Sequence, residues 1–551
     1  MKRLTLRIIV LVSAIVALCT CRGCGKEDGP EAILDLAAPD TLAAVVVPDL
    51  GGLAKGVDDF VTRATRNAGA EAVKRLRKSL TTQVGFDPLD VGKYEERGLA
   101  AHGPCLLFTE GDSPEPLLAF TITNREAFDN TVKDVLKKTD GASRYASEKV
   151  HGWDVQTAGR PFGTEVVPAF YWTYIGRFAI TARAEGKSAL DAALKRLAAS
   201  DPGGTRATLR SDPLFRTLSR KVSSEGLTVF ARGNAAVKLL STPESVSRGV
   251  ITSVRINGKG FELDTFVELE IADLDHALAG PAVLGLADRV ADDAALVLMT
   301  HAAGPEAVRA ARSHPGVSSL VDRALAPLGS AIGVDPEKDI LPWLKGPLTL
   351  SVHLDDLSEM PRRLQQRRSL AAVLEFVHIA VIADVTDPKR FQAMLDRSRV
   401  ALAKRGVELR QRTVTVGKLE ANIVEPVGPG TATPRLGWAM VGDKYVYGAG
   451  AGRLDAILKV LAAGDSGLST SIEGTVAGEL ATQPGNSVVL LRVGQLAEAA
   501  ARITLGQPKA GIGIGALIGS GLQIMRTIGD VGLAVSAEPG GLRLRIRERL
   551  Q

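Results

Sequence analysis

Apolar residues recur along this chain in two alternating patterns, which are short continuous runs and spacings of three to four. Ala43–Val47 is a continuous apolar run, which predicts a strand. Asp49 then begins a stretch with Leu53, Val57 and Phe60 at helical spacing. The alternation continues with a predicted strand, helix, hairpin and helix at Leu117–Thr121, Arg125–Lys138, Phe170–Thr181 and Leu190–Ala199. Ser188 is the predicted cap of the last of these helices.

The pattern then repeats in the second half of the chain. Leu190–Asp201 and Leu454–Asp465 are identical at nine of twelve positions. Motifs around them match in the same order; for example, Gly103-Pro104 parallels Gly346-Pro347. Self-similarity kept in order over such a length indicates an internal duplication.

The elements predict an α+β fold, since strands, helices and hairpins alternate and each half ends in two strand-like runs. We expect two tandem copies of a mainly antiparallel sheet with helices packed on one face. Copy 1 is predicted at 39–272 and copy 2 at 291–551, with a linker at 273–290 between them.

The N-terminus has the layout of a secretory signal, predicted at residues 1–20. Lys2, Arg3 and Arg7 precede Ile8–Leu18, an uncharged and mostly apolar run that is too short for a finished membrane span. The cysteines that follow resemble a bacterial lipoprotein signal, in which a cysteine is acylated and becomes the mature N-terminus. The resemblance implies a membrane as the partner, held through an N-terminal lipid.

Cys21 is the predicted lipid attachment residue, with Cys19 and Cys24 as the alternatives. Cys21 has Leu18 three positions before it and Thr20 directly before it, whereas the bulky Leu18 directly precedes Cys19. Cys24 follows Gly23, but the polar Arg22 lies two positions before it. Residues 21–38 would then form a tether, which spans roughly 25 Å if flexible.

Composition and charge exclude some partners. The formal net charge is +5, and the three basic residues of the signal segment supply more than half of it. No basic block is interleaved with aromatic residues, so no nucleic-acid partner is predicted. Aromatic residues are only 4% of the chain, which argues against a platform of exposed rings for sugars.

The sequence contains no recognisable catalytic, cofactor-binding or metal-binding motif, so none of these sites is predicted. There is no G-x-S-x-G or H-E-x-x-H pattern. Gly448–Gly452 lies between a predicted strand and a predicted helix, where its glycines fit a tight turn. The seven histidines never pair at i, i+3 or i+4; they are His102, His151, His276, His301, His314, His353 and His378.

The duplicated strand–hairpin–helix order resembles a family of uncharacterised bacterial lipoproteins, found in myxobacteria and their relatives, that carry a domain of unknown function. The resemblance covers most of residues 39–550. It implies the cell envelope of a Gram-negative bacterium, and it supplies no catalytic residues.

We therefore expect a non-enzymatic envelope lipoprotein that acts as a binding or scaffold protein, with an envelope protein or an apolar ligand as its possible partner. One alternative is a carrier of an apolar ligand or lipid, held between the two copies. Another is a hydrolase with a non-standard site, which would require polar side chains, including a histidine, to converge.

Overall fold

The fold is given by a computed structural model. The structure describes residues 31–64, 74, 77–78, 80–82, 86–111, 113, 115–162, 165–199, 207–233, 247–269, 280–301, 305, 309, 338, 341–355, 357–360, 362, 366, 375–404, 408–426, 436–450, 452–463, 468–505 and 528–550. The predicted signal peptide, Cys19, Cys21 and Cys24 lie outside the described residues. The chain divides into two compact units, unit 1 (Met1–Glu268) and unit 2 (Leu269–Gln551).

Unit 1 is built on an antiparallel sheet. Its described strands are β1 (Ala43–Val47), β2 (Cys105–Thr109), β3 (Pro116–Thr121), β4 (Arg144–Val150), β5 (Trp153–Phe162), β6 (Glu165–Ile175), β7 (Phe178–Arg183), β8 (Leu227–Arg232), β9 (Ser247–Asn257) and β10 (Gly260–Leu269). Nine of them pair in the order β4–β5–β6–β7–β3–β2–β1–β8–β9. β10 follows after a two-residue turn, and the hydroxyl oxygens of Thr252 and Thr265 on β9 and β10 lie 2.9 Å apart.

Unit 2 is also built on antiparallel strands. They are β11 (Ala294–Thr300), β12 (Leu344–Leu354), β13 (Val377–Val385), β14 (Leu409–Val416), β15 (Leu419–Pro426), β16 (Leu436–Val441), β17 (Lys444–Ala449), β18 (Asn486–Arg492), β19 (Ile528–Glu538) and β20 (Gly541–Leu550). They pair in the order β14–β15–β16–β17–β13–β12–β11–β18–β19–β20. Each strand number is ten higher than at the corresponding place in unit 1.

Helices complete both units. Those of unit 1 are α1 (Leu50–Ala64), α2 (Arg125–Thr139), α3 (Lys187–Ala198) and α4 (Pro213–Ser219). Those of unit 2 are α5 (Pro388–Lys404), α6 (Arg453–Ala463), α7 (Leu468–Ile472), α8 (Val476–Ala481) and α9 (Val493–Leu505). Among the helices that the structure describes, none is both long and apolar enough to cross a membrane. With the antiparallel strands, these helices confirm the predicted α+β class.

Helices contribute to clusters on both faces of the sheet, where the sequence predicted helices on one face. In unit 1, Phe108 of β2 packs in one cluster with residues of α3 and α4, whereas Cys105 and Leu107 of the same strand belong to a second cluster with residues of α1 and α2. In unit 2, Ile423 packs with residues of α6, whereas its neighbour Val424 packs with residues of α5. Because successive strand residues point to opposite faces, apolar runs such as Ala43–Val47 need cover on both sides.

Both predicted connecting segments end inside a core. Ala32–Leu36, in the predicted tether 21–38, is a short 3-10 helix, and Ile33 is fully buried in unit 1. Leu284–Arg289, in the predicted linker 273–290, is a matching 3-10 helix that buries Leu286 in unit 2. These 3-10 helices are only five and six residues long, so their apolar residues cannot show a helical repeat, and the sequence pattern predicts connections there.

The start of α3 differs from its prediction. The helix begins at Lys187, after a 3-10 turn at Ala184–Gly186. Its N-cap is Gly186, with no side-chain capping bond, so Ser188 lies inside the first turn and is not the cap.

Candidate functional site

The predicted lipid attachment residue Cys21 and its alternatives Cys19 and Cys24 lie outside the described residues, so their geometry is not part of this site. Cys105 is the cysteine that the structure describes, and it is a free thiol that is 2% exposed on β2. Burial raises the pKa of Cys105 to about 12, so its thiol is neutral and unreactive at pH 7.

The described part of unit 2 contains a buried cluster of polar side chains on one face of β12. Alternation along the strand puts Thr349, Ser351 and His353 on that inward face, and each is at most 3% exposed. The Oγ of Ser351 lies 2.9 Å from Nε2 of His353, and Nδ1 of His353 lies 2.7 Å from Oδ1 of Asp293. An ionised carboxylate only accepts hydrogen bonds, so the Nδ1–H of His353 donates to Asp293, and the Ser351 hydroxyl and Nε2 of His353 form the second hydrogen bond of the cluster.

Arg453 adds a positive charge to this cluster from the first turn of α6. Its Nη2 donates to Oδ2 of Asp293 at 3.4 Å, while the residue as a whole is 8% exposed. The hydrogen bond from His353 lowers the pKa of Asp293 well below its usual value, and the charges of His353 and Arg453 act in the same direction against the effect of burial. Asp293 is therefore ionised throughout the physiological pH range.

His378 is the second histidine of the cluster, and it lies directly opposite His353 across the β12–β13 pairing. It is 4% exposed, and its Nε2 is 3.4 Å from Oδ2 of Asp355. Burial lowers the pKa of His378, and the nearby positive charge of Arg453 lowers it further, against the raising effect of Asp355. The ring is therefore neutral at pH 7.

The glycine-rich turn Gly448–Gly452 shapes the side of this cluster. Gly450 has a φ of +119°, and a Cβ atom there would collide with the ring of His378. A Cβ at Gly448 would come within 2.8 Å of the backbone nitrogen of Leu454 in α6. The glycines thus allow β17 to turn tightly into α6 against His378, which is a packing role and requires no phosphate ligand.

The order of hydrogen bonds from Ser351 through His353 to Asp293 is that of an acyl-transfer triad. The exposure of the two end residues, however, is the reverse of that in such a triad. In such a triad the hydroxyl faces the substrate and the carboxylate is buried. Here Ser351 is 3% exposed, whereas the side chain of Asp293 is 60% exposed. The arrangement therefore supplies partners to polar groups inside the fold and presents the carboxylate to solvent.

The other described histidines lie apart from this cluster. His102 is 3.5 Å from Asp49 at the start of α1, and His151 is 3.2 Å from Asp191 of α3. Burial raises the pKa of Asp49 to about 6, although the charge and hydrogen bond of His102 lower it. His301 is a half-buried ring, and its partial burial lowers its pKa.

Histidine spacing along the sequence does not reveal the cluster, because His353 and His378 come together through strand register. His276 and His314 lie outside the described residues. Within the described ranges, no three histidine, cysteine, aspartate or glutamate side chains are grouped as a metal ion would require. A search for two histidines facing each other on predicted neighbouring strands would have found the pair.

Comparisons with known proteins give a distant structural likeness. No protein-family model and no curated protein matches the chain. A solved structure described as crystal form I of TP0453 is 14% identical in sequence, covers 45% of this chain and 81% of its own, and has a TM-score of 0.24.

Proposed function

We propose that this chain is an envelope lipoprotein, anchored through a lipid on Cys21, that binds or scaffolds another envelope component without catalysing a reaction. The anchor rests on one observation, which is the basic start, short apolar run and cysteine cluster of residues 1–24. Arg22, directly after the acylated residue, would not retain the protein at an inner membrane under enterobacterial sorting rules, which favours an outer membrane.

Metabolic labelling with a clickable palmitate analogue tests the anchor. We expect label on the full chain and on Cys24→Ser, and loss of label on Cys21→Ser. Intact mass spectrometry of the mature protein should give an acylated cysteine as the first residue. Retention of label by Cys21→Ser with loss in Cys19→Ser or Cys24→Ser would move the anchor to that residue, and an unmodified N-terminus would overturn it.

The body is proposed to be two tandem copies of one domain. The equal strand orders of units 1 and 2 support this, as do the similar segments Leu190–Asp201 and Leu454–Asp465, whose described residues lie mostly in α3 and α6, the first α-helices after β7 and β17. Strand register also supports it, since Phe108 and Ser351, which lie five residues after Gly103 and Gly346, pair with Ala44 and Val297, which lie four residues after Asp40 and Asp293.

A binding role is favoured over catalysis because the Ser351 hydroxyl is buried in the fold, where it is hydrogen-bonded to His353. Affinity purification of the acylated chain from cross-linked envelope fractions tests this role. We expect a protein partner to co-purify with the folded chain in a fixed ratio, and to be lost when the chain is unfolded. Co-purification of a lipid in place of a protein would favour the alternative, in which the chain carries an apolar ligand or lipid.

Hydrolysis is the second candidate, because the Ser351–His353–Asp293 hydrogen bonds have the right order and lengths for nucleophile activation. A fluorophosphonate probe and short-chain nitrophenyl esters test it. Labelling and turnover by the wild type that Ser351→Ala abolishes would establish the hydrolase and overturn the binding proposal. We expect neither labelling nor turnover, since the hydroxyl is covered.

A further inference from the structure

Three basic side chains meet inside unit 2 where α6 packs on the sheet. His353 on β12 and His378 on β13 face each other directly across the strand pairing, and they are 2% and 4% exposed. Arg453, in the first turn of α6, is 8% exposed. The three side chains therefore share one buried layer, in which charges interact more strongly than they do at a surface.

The carboxylates that contact this layer lie at its rim. Asp293 accepts from both His353 and Arg453, and Oδ2 of Asp355 is 3.4 Å from Nε2 of His378. The side chains of the two aspartates are 60% and 56% exposed. Water therefore screens these negative charges, whereas repulsion between buried cations is screened much less. A second cation in the layer beside Arg453 would be poorly compensated.

His378 is the group of this layer that supplies such a charge when the pH falls. The charged and titratable groups that face it, among the residues that the structure describes, are Asp355 after β12, His353 on β12 and Arg453 on α6. Burial lowers the pKa of His378 from its usual 6.5, Asp355 raises it, and Arg453 and His353 lower it further. The neutral ring therefore stabilises unit 2 fully above pH 6.5, and this contribution is lost as the pH falls from 6.5 to the folded pKa.

The turn from β17 into α6 is the part of the layer that is built to move. Gly450 and Gly452 have φ values of +119° and +67°, and Gly450 lies against the ring of His378. Within the described residues, Nε of Arg453 and Nε2 of His378 are both buried without a hydrogen-bond partner. The ion pair of Arg453 with Oδ2 of Asp293 is long, at 3.4 Å. Movement of the first turn of α6 away from the sheet therefore separates Arg453 from His378 and breaks only weak polar contacts.

We propose that protonation of His378 releases α6 from the sheet, beginning at Arg453, so that this corner of unit 2 is an acid-sensitive switch. Leu454 and Ile457 of α6 pack in one apolar cluster with Ile382 of β13. Release of the helix uncovers this cluster, so a fall in pH exchanges a closed corner for an apolar surface. The switch belongs to the folded body and does not depend on the proposed lipid anchor.

Hydrogen exchange of the full-length chain between about pH 7 and pH 5 tests the switch, with each rate divided by the intrinsic rate at the same pH. In the wild type we expect the α6 amides to lose protection as the pH falls, and the β11 amides of the same unit to lose less. His378→Gln cannot gain a charge and should abolish this loss. His301→Gln is the matched control and should keep it, because burial also lowers the pKa of His301 but its ring lies outside the layer.

Asp355→Asn gives a second test that leaves the buried layer in place, because the side chain of Asp355 is more than half exposed. It removes the charge that favours protonated His378, so the loss of α6 protection should shift to lower pH. Constant α6 protection in the wild type, an undiminished loss in His378→Gln, or no such shift in Asp355→Asn would each overturn the switch. An equal loss in α6 and β11 would also overturn it, because that result reports acid unfolding of the whole unit.

Discussion

Units 1 and 2 have the same strand order, but one strand of that order carries buried apolar side chains in unit 1 and buried polar side chains in unit 2. In unit 1, Leu106 and Phe108 of β2 fill the inward face with apolar groups, whereas in unit 2 the corresponding face of β12 carries Thr349 and Ser351. The register supports the correspondence, since Phe108 pairs with Ala44 and Ser351 pairs with Val297. One sheet order thus accepts either an apolar or a polar layer, provided that each buried polar group has a partner.

Both units supply an arginine from a corresponding helix to a carboxylate near the end of this layer. In unit 1, Nε of Arg196 on α3 donates to Glu110 at 2.7 Å, and in unit 2 Arg453 on α6 donates to Asp293 at 3.4 Å. The two pairs differ in exposure, because Glu110 has a side chain 5% exposed and Asp293 has one 60% exposed. The buried pair of unit 1 should therefore be the more sensitive to loss of its arginine.

The largest expected effect is that of Arg196→Ala. It leaves the carboxylate of Glu110 buried without its charge partner and removes a 2.6 Å bond to the backbone oxygen of Leu36. We expect unit 1 to lose about 3–5 kcal/mol of unfolding free energy. Hydrogen exchange of β2 peptides in urea measures this, because it follows unit 1 separately from unit 2.

The double variant Glu110→Leu/Arg196→Met is the control for this prediction. Replacing both members of a buried ion pair by apolar residues of similar volume is often neutral. The double variant should therefore recover most of the stability that Arg196→Ala loses. An equal loss in both variants would show that the ion pair is not what Arg196 contributes.

Gly450→Ala should come next, and it probes the polar layer of unit 2. The substitution combines a φ of +119° with a collision against the buried ring of His378, and we expect unit 2 to lose about 3 kcal/mol. Gly452→Ala is the matched control, because Gly452 has a φ of +67° and nothing within 4 Å of the added Cβ. It should cost about 1 kcal/mol. Similar losses in the two variants, seen by hydrogen exchange of β13, would contradict the role of His378.

Much of the fold was predictable because the strands that other elements bury have long uninterrupted runs of apolar residues. Ala43–Val47 has the predicted bounds, and the predicted helix Arg125–Lys138 ends one residue later, at Thr139. Strand β4, Arg144–Val150, was missed because all but its last residue are exposed, so its sequence carries no apolar alternation. A strand whose side chains are almost all exposed has little signature in a pattern of hydrophobic residues.

The polar cluster was not predictable from local spacing. His353 and His378 are 25 residues apart in sequence and meet only because β12 pairs with β13 in one register. Asp293 lies 60 residues before His353. A shift of one residue in either pairing would move these side chains to the other face, so the site depends on register and not on a motif.

Asp293→Asn should have a smaller effect, and its sign depends on pH. The folded pKa of Asp293 is lowered, so its contribution to stability is full above the unfolded value near 4 and is lost as pH falls through the folded pKa. We expect unit 2 to lose about 1.5 kcal/mol at pH 7, at the low end for bonds to charged groups because the carboxylate is largely exposed. The difference from wild type should shrink below pH 4, and a loss independent of pH would contradict this origin.

Asp49→Asn in unit 1 should act in the opposite direction and by the smallest amount. The folded pKa of Asp49 is raised from 3.8 to about 6, so the stabilising contribution of its neutral form is full below pH 3.8 and is lost as pH rises through 6. The asparagine stays neutral and can still accept the bond from the Gly52 nitrogen that Oδ1 accepts at 3.2 Å. We expect unit 1 to gain about 1 kcal/mol at pH 7 and nothing at pH 3.5, measured by hydrogen exchange of α1. Opposite signs at pH 7 for Asp49→Asn and Asp293→Asn would establish that exposure and pairing, and not the residue type, set the contribution of each carboxylate; a loss in both variants would contradict this.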